Sequence, residues 1–307
     1  MEQRKAVDLQ ASSLMVMLCM IWGIQQVVLK WAADDISPMM QIALRSGLAA
    51  LLVLPFLKLD HPKDFFAKSY LLPGMWLAFL FSAEYLLVAE ALRYTSASHV
   101  AVLLYTAPIF VALGMHWKFP SERLSRLQWG GILLAFIGIA FAFLGREAVV
   151  QNEMMLYGDA FALIAGFTWA LTTISLRMSR LGEAPPTQTL LYQLVGCFIL
   201  LTPIAYFTGQ AEIQWTPIAI GSMVFHVVIM SFISLMLWFW LLRHYLANGL
   251  GVFSFLTPLF GMFFGVVLLK EQIEIQFIIG AVLVLLGVMT VSLHQQVYRA
   301  YRRVFGL

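Results

Sequence analysis

Residues 13–145 are written a second time, in diverged form, at 158–293, and both copies consist almost wholly of apolar runs of about 20 residues. An offset of 147 carries Trp22-Gly23 … Lys30 … Pro38 onto Trp169-Ala170 … Arg177 … Pro185. An offset of 150 carries Arg93-Tyr94 … Ala101 … Tyr105 … Pro108 onto Arg243-His244 … Gly251 … Phe255 … Pro258. Near the end of each copy, Glu122-Arg123-Leu124 … Gly131 … Gly138 returns at offset 149 as Glu271-Gln272-Ile273 … Gly280 … Gly287. Runs of this length span a bilayer as helices. The other spanning solution is a closed β-barrel. Stretches such as Val282-Leu283-Val284-Leu285-Leu286 lack the alternation a barrel strand needs. Composition agrees: 61% of residues are hydrophobic and 11% charged, against about 25% charged in a soluble domain.

The reading is an all-α integral membrane protein with ten spans, at 10–30, 37–57, 70–92, 97–117, 126–144, 157–177, 186–208, 215–242, 247–269 and 274–294. The apolar run after Met1 continues to about Val28 without a small-residue cleavage site, so it reads as a retained first helix rather than a signal peptide. Cytoplasmic loops are enriched in Lys and Arg. With the N-terminus inside, 14 of the 19 basic residues fall on inside segments, 4 fall on outside ends and Arg45 lies within a span. Both termini are therefore expected in the cytoplasm. Each copy holds five helices, an odd number, so the second copy is expected to be inverted relative to the first. The basic, aromatic tail 295–307 is expected at the cytoplasmic surface, against anionic lipid.

Trp22-Gly23, Ala43-Leu44-Arg45, Ala91-Leu92-Arg93-Tyr94-Thr95-Ser96-Ala97, Tyr105-Thr106-Ala107-Pro108 and Glu122-Arg123-Leu124 resemble the first half of EamA-type carriers of the drug/metabolite transporter superfamily. Gly158-Asp159 … Trp169-Ala170 and Leu256-Thr257-Pro258 … Lys270-Glu271 resemble the second half. The resemblance covers nearly the whole chain. It implies an inverted-repeat carrier of the bacterial inner membrane, commonly an exporter of amino acids or other small metabolites. It also implies a central cavity lined mainly by helices 1, 3, 4, 6, 8 and 9, and it leaves the substrate open.

Charges within spans are costly and point to function. Arg45 lies eight residues in from the outer end of helix 2, and Glu84 at a similar depth in helix 3. An ion pair between them is one expectation; a titrating, proton-coupling Glu84 is the other. The second copy carries Tyr192 and Ser234 at the equivalent positions. Trp22, Gln25 and Gln26 share a helical face, which Trp169, Thr172 and Thr173 repeat. Aromatic planes beside amides or hydroxyls suit an organic solute; interhelical packing is the alternative, favoured for Thr173. Pro108 and Pro258, inside helices 4 and 9, are expected to kink them and serve as hinges, with Tyr105 and Phe255 beside the kinks. The candidate substrate-binding residues are thus Trp22, Gln25, Gln26, Arg45, Glu84, Tyr105, Trp169, Thr172 and Phe255.

Other polar residues have structural readings. Glu90 and Arg93 are placed to pair, His99 reads as a satisfied histidine, and Asp159 lies one turn into helix 6 within reach of water. Gly261 and Gly265 form a GxxxG pair suited to internal helix packing. Cys19 and Cys197 sit in apolar runs as small hydrophobes. No P-loop, dinucleotide motif, metal-spaced His/Cys cluster or HExxH is present, so neither an enzyme nor a cofactor or metal requirement is expected. The expected partners are a small-molecule substrate and the lipid bilayer, with no nucleic acid, in a monomer or weak homodimer. The expected function is export of a small organic metabolite by alternating access. Efflux of toxic lipophilic cations is a rival within transport, and a non-transporting scaffold is a rival outside it.

Overall fold

Several helices start where the sequence supplies an N-cap side chain. Asp8 accepts from the Ala11 amide at 2.8 Å and opens α1 (Leu9–Trp31). Ser37 accepts from Met40, with Pro38 in the first turn, and opens α2 (Pro38–Val53), which a 3-10 turn extends through Leu54–Phe56. After α3 (Lys68–Tyr94), Ser96 caps α4 (Ala97–Leu104). Then follow α5 (Ala107–Lys118), α6 (Arg126–Leu144), α7 (Glu153–Met178), α8 (Pro186–Phe207) and α9 (Pro217–Val224), the last capped by Thr216. A π-helix (Phe225–Ile233) leads into α10 (Ser234–His244), and a 3-10 turn (Val252–Phe255) into α11 (Leu256–Leu269) and α12 (Ile275–Phe305). This computed structural model describes residues 8–57, 65–119, 123–144, 153–245, 250 and 252–305. Among them regular structure is helical, with an isolated bridge between Ile36 and Ile213.

Among the described residues, seven helical stretches are long and apolar enough to cross a membrane, and Arg126–Phe141, Phe253–Leu269 and Ile275–Val291 are shorter apolar helices. Large apolar side chains such as Leu51, Phe79, Leu133, Ile199, Phe263 and Val282 point outward, each at least half exposed. A monomer in water does not carry so continuous an apolar surface; lipid is the solvent that suits it. Trp31, Tyr157, Trp215 and Trp117 are exposed near helix ends, where amphipathic rings meet a membrane interface.

The two copies pack against each other in matched pairs. α6 lies on α12 and α2 on α8; α1 lies on α11 as α7 lies on α4 and α5. The glycines repeated at offset 149 hold α6 and α12 together. A Cβ on Gly131 would stand 2.9 Å from the Gly287 carbonyl oxygen, and one on Gly138 would stand 2.6 Å from that of Gly280. Gly131 therefore faces the sequence equivalent of Gly138, and Gly138 the equivalent of Gly131. That reciprocal contact is the signature of a two-fold relation, and it sets the helices antiparallel. The GxxxG pair is also internal: Gly261 faces Ala101, and Gly265 faces Ser98.

Helix interruptions differ from the kinks expected at Pro108 and Pro258. The helix is broken at Tyr105–Thr106, so Pro108 stands in the first turn of α5, where its missing N–H costs nothing. Pro258 likewise stands in the first turn of α11, after the 3-10 turn that ends at Phe255. Arg4, Lys5, Lys58, Lys63, Glu122, Arg146 and Gly251 lie outside the described residues. The tail 295–307 is described only as helical backbone to Phe305.

Candidate functional site

The polar interior is assembled from both copies. Gln41 Nε2 donates to the carbonyls of Leu29 (2.9 Å) and Ile36 (2.8 Å), tying down the α1–α2 connection. Ser222 donates to Gln41 Oε1 at 2.6 Å, and His226, in the π-helix, donates through Nδ1 to the Ser222 carbonyl at 2.8 Å. Arg45 is buried, with its guanidinium 4.7 Å from the centre of the Tyr85 ring. Glu84 is buried on α3 within electrostatic reach of Arg45. The two do not form the contact ion pair expected from their depth: the adjacent Tyr85 ring occupies the guanidinium face instead. Arg45 Nη1 and Gln26 Oε1 are buried without a hydrogen-bond partner in the protein. Buried polar atoms are nearly always paired, which makes these two the candidates for contact with a bound molecule or water.

One face of the bundle is latched across the two copies. Glu271 accepts from the Ala97 amide (2.7 Å), the Ser98 amide (3.1 Å) and the Ser98 hydroxyl (2.5 Å), capping α4 from the opposite half. Lys270, the described non-glycine residue with positive φ (55°), ends α11 in a left-handed turn that directs Glu271 there. Lys30 donates to the Thr95 carbonyl, and the Thr95 hydroxyl donates to Asp159 at 2.5 Å. His99, fully buried and stacked on Phe277, meets both Asp159 oxygens at 3.0 Å. Asp159 is thus sealed from water, contrary to the sequence expectation, because Thr95 and His99 close over it. On the same face Ser37 donates to the Gln210 carbonyl, Gln210 to Glu90, and Thr216 to Asp35.

The opposite face holds a cavity of about 450 Å³ between α5, α6, α7 and α12. Trp169, Pro108 and Ala107 line it beside the helix break, and Arg123, Arg177 and Gln128 line it toward the helix ends. Tyr105 meets the Trp169 ring edge-on at 5.3 Å and lies within electrostatic reach of Glu84. It therefore stands between the cavity and the polar interior.

The other sequence candidates are distributed around these features. Trp22 donates to Ser234 at 3.2 Å and meets Trp238 edge-on, bridging α1 to α10. Gln25 and Gln26 are buried on α1. Thr172 is buried and donates back to the Thr168 carbonyl, while Thr173, read as a packing residue, lines the cavity. Phe255 packs with Ile109, Ile132 and Val284. Glu90 and Arg93 pair at 2.7 Å, and both cysteines are free and buried. Sequence reasoning missed Gln41, Ser222, the π-helix and the Glu271 latch. The Glu271 signal was present in the repeat, since Glu122 and Glu271 are equivalent. Neither lies in a span, where a charge would mark it as functional.

Comparisons with known proteins agree with this architecture. A solved crystal structure superposes with a TM-score of 0.61 at 16% identity, covering 93% of this chain and 97% of the other, which shows a shared fold. Uncharacterized transporter YoaV of Bacillus subtilis (strain 168) is 24% identical over 274 residues, 89% of this chain and 93% of that protein. Two proteins named probable amino-acid metabolite efflux pump are also similar. The one from Salmonella typhimurium is 26% identical over 285 residues, 89% of this chain and 92% of its own length. The one from Escherichia coli (strain K12) is 24% identical over 305 residues, 96% and 94% respectively. The fold and its relatives define a membrane transporter, not an enzyme. The EamA-like transporter family model matches residues 10–144 and 156–293, and the chain belongs to that family.

Proposed function

We propose that the protein is a ten-span secondary carrier of the bacterial cytoplasmic membrane, with inverted halves and both termini inside, and that it exports a small organic metabolite by alternating access. The observation that carries this reading is the asymmetry of the two faces. One is latched by Glu271, Lys30 and Asp159, while a cavity indents the other. Arg177 is the sequence equivalent of Lys30, and it lines the cavity where Lys30 closes the latch. Two similar halves rocking about a midplane site would exchange those roles. In this reading the cavity faces the cytoplasm, as an exporter's loading state requires, and the bias of basic residues toward the same segments supports it.

Arg45, Glu84 and Gln26 form the midplane site in this reading. A buried guanidinium with a carboxylate in electrostatic reach suits a zwitterion, and an amino acid is the substrate class favoured. Two relatives named amino-acid metabolite efflux pumps support it. Glu84 is the proton-coupling group and Trp22 and Trp169 frame the path. Tyr105 stands at the break between α4 and α5, where Pro108 permits bending. The carrier works as a monomer or weak homodimer in lipid.

Counterflow in proteoliposomes tests the function. Vesicles loaded with one unlabelled amino acid should accumulate its labelled form transiently, and Glu84→Gln should reduce the rate at least ~10-fold and flatten its pH dependence. No counterflow with amino acids, amines or organic acids contradicts transport. An unaltered rate and pH profile in Glu84→Gln removes Glu84 from the mechanism.

A further inference from the structure

A second cavity, of about 230 Å³, lies on the latched face, where the α1–α2 connection of one half meets the α8–α9 connection of the other. We propose that it binds a primary ammonium group, held by the Asp34 and Glu212 carboxylates and the Gln210 side-chain oxygen, and that the bound cation bridges the two halves.

Gln210 is only 9% exposed, and its amide is oriented by its own donations, from Nε2 to Glu90 at 2.8 Å and to Thr208 at 3.2 Å. Its Oε1 is left without a partner, and Gln210 lines the cavity. Buried polar atoms are nearly always paired, and an amide oxygen takes only a donor. Asp34 and Glu212 line the same cavity and make no ion pair among the described residues. Asp35 adds a third carboxylate, one oxygen of which accepts from Thr216 at 2.5 Å. Arg93 also lines the cavity, but Glu90 meets its charge at 2.7 Å. The lining thus offers acceptors and an excess of negative charge, and an ammonium group complements both with three N–H donors and no acceptor. The volume lies below the roughly 300 Å³ at which drug-sized sites begin, so the group arrives on a short alkyl chain. Among the described residues no three His, Cys, Asp or Glu side chains are grouped to hold a metal ion, which disfavours a directly coordinated divalent cation. The walls are already joined: the Ser37 hydroxyl donates to the Gln210 carbonyl, and the Gln214 amide to the Asp35 carbonyl at 2.8 Å. A cation contacting Asp34 from one half, and Gln210 and Glu212 from the other, adds to these links.

Thermal shift of the full-length protein in phosphatidylcholine nanodiscs, at constant ionic strength, compares n-propylammonium, tetramethylammonium and Ca²⁺. Propylammonium should stabilise the protein and the other two should not, because tetramethylammonium has charge without N–H donors. Asp34→Asn and Glu212→Gln, both at exposed positions, should each weaken the apparent affinity about 3-fold, the scale of a solvent-screened ion pair. Gln210→Met should remove the preference for propylammonium over tetramethylammonium. A merely structural role for Gln210 would lower the melting temperature and leave that preference intact. At a propylammonium concentration about nine times its apparent Kd, hydrogen exchange at the Gln214 amide should slow about 10-fold, since a ligand confined to the closed arrangement protects it by the factor 1 + [L]/Kd. Equal stabilisation by tetramethylammonium or Ca²⁺ overturns the proposal, as does binding unaffected by all three substitutions. Unchanged exchange at Gln214 overturns the bridging. Phosphatidylethanolamine carries the same ammonium group, and nanodiscs containing it distinguish the sources. Disappearance of the propylammonium effect there assigns the lipid headgroup to the site, and its persistence assigns a free amine; either result supports an ammonium site.

Discussion

Replacing Glu271 with alanine should raise amide hydrogen exchange at Ala97 and Ser98 by about 10- to 100-fold, while exchange along α6 and α12 stays unchanged. Those two amides point out of the first turn of α4 and have Glu271 as their shared acceptor from the opposite half. Hydrogen bonds to a charged group contribute about 1.5–3 kcal/mol each, and the α4 N-terminus adds the attraction of its partial positive charge. Part of that sum returns when water solvates the freed amides, so about 1.4–2.8 kcal/mol, the equivalent of 10- to 100-fold, is expected. In a carrier this free energy biases one conformation. The same substitution should therefore favour opening of the latched face. Protection at Ala97 and Ser98 equal to that of the unaltered protein would show that Glu271 does not hold α4.

Gly138→Leu should prevent assembly. A Cβ at Gly138 would lie 2.6 Å from the Gly280 carbonyl oxygen and 2.7 Å from the Val284 nitrogen, both backbone atoms that cannot turn aside. Overpacking a tight interface typically costs about 1–3 kcal/mol when side chains can adjust, and here the helices themselves must separate. The expected outcome is loss of the monodisperse peak of a fluorescent fusion on size exclusion. Gly130→Leu is the internal control, because a Cβ there meets nothing within 4 Å. It should keep its peak and melt within a few degrees of the parent, a shift of well under ~1 kcal/mol for a site without strain. Equal yields of the two variants would contradict the two-fold packing of α6 on α12.

Much of this architecture was legible in the sequence because it rests on periodicity and repetition. Long apolar runs between capping residues mark helices whether or not their packing is known, and Ser37-Pro38, Ser96 and Thr216-Pro217 fix their starts. The offset of 149 even names the glycines that meet, although it does not say that Gly131 pairs with Gly287 rather than Gly280. Only the antiparallel crossing supplies that. The interruptions were less legible. A proline within an apolar run is compatible with a kink or a break, and the broken form at Tyr105–Thr106 depends on neighbouring helices that the local sequence does not describe.

The candidate site was legible in its charges and illegible in its partners. Arg45 and Glu84 stand out in any hydropathy profile, yet depth along a helix leaves its rotation about the axis undetermined. Tyr85, one residue from Glu84, takes the Arg45 face that an ion pair would have used. Tyr192 and Ser234, their counterparts in the second copy, have structural work. Tyr192 donates to the Phe65 carbonyl and stacks on its ring, and Ser234 accepts from Trp22. The halves thus share a scaffold and differ in polar chemistry. Residues such as Glu271 and Arg177 were hidden for another reason. They sit at helix ends, where charge is ordinary, and acquire meaning only when the opposite half is brought alongside.

In the proposed transport cycle the two faces open in alternation. Spin labels at Asp34 and Glu212 report on the latched face, and labels at Lys118 and Arg180 on the cavity face, each pair in a Cys19→Ala, Cys197→Ala background. Pulsed dipolar distance measurements in nanodiscs, with and without a transported amino acid, should show the two distributions shifting in opposite directions: one face lengthens as the other shortens. Distributions that stay fixed with a transported solute present, or that lengthen together on both faces, would contradict alternating access.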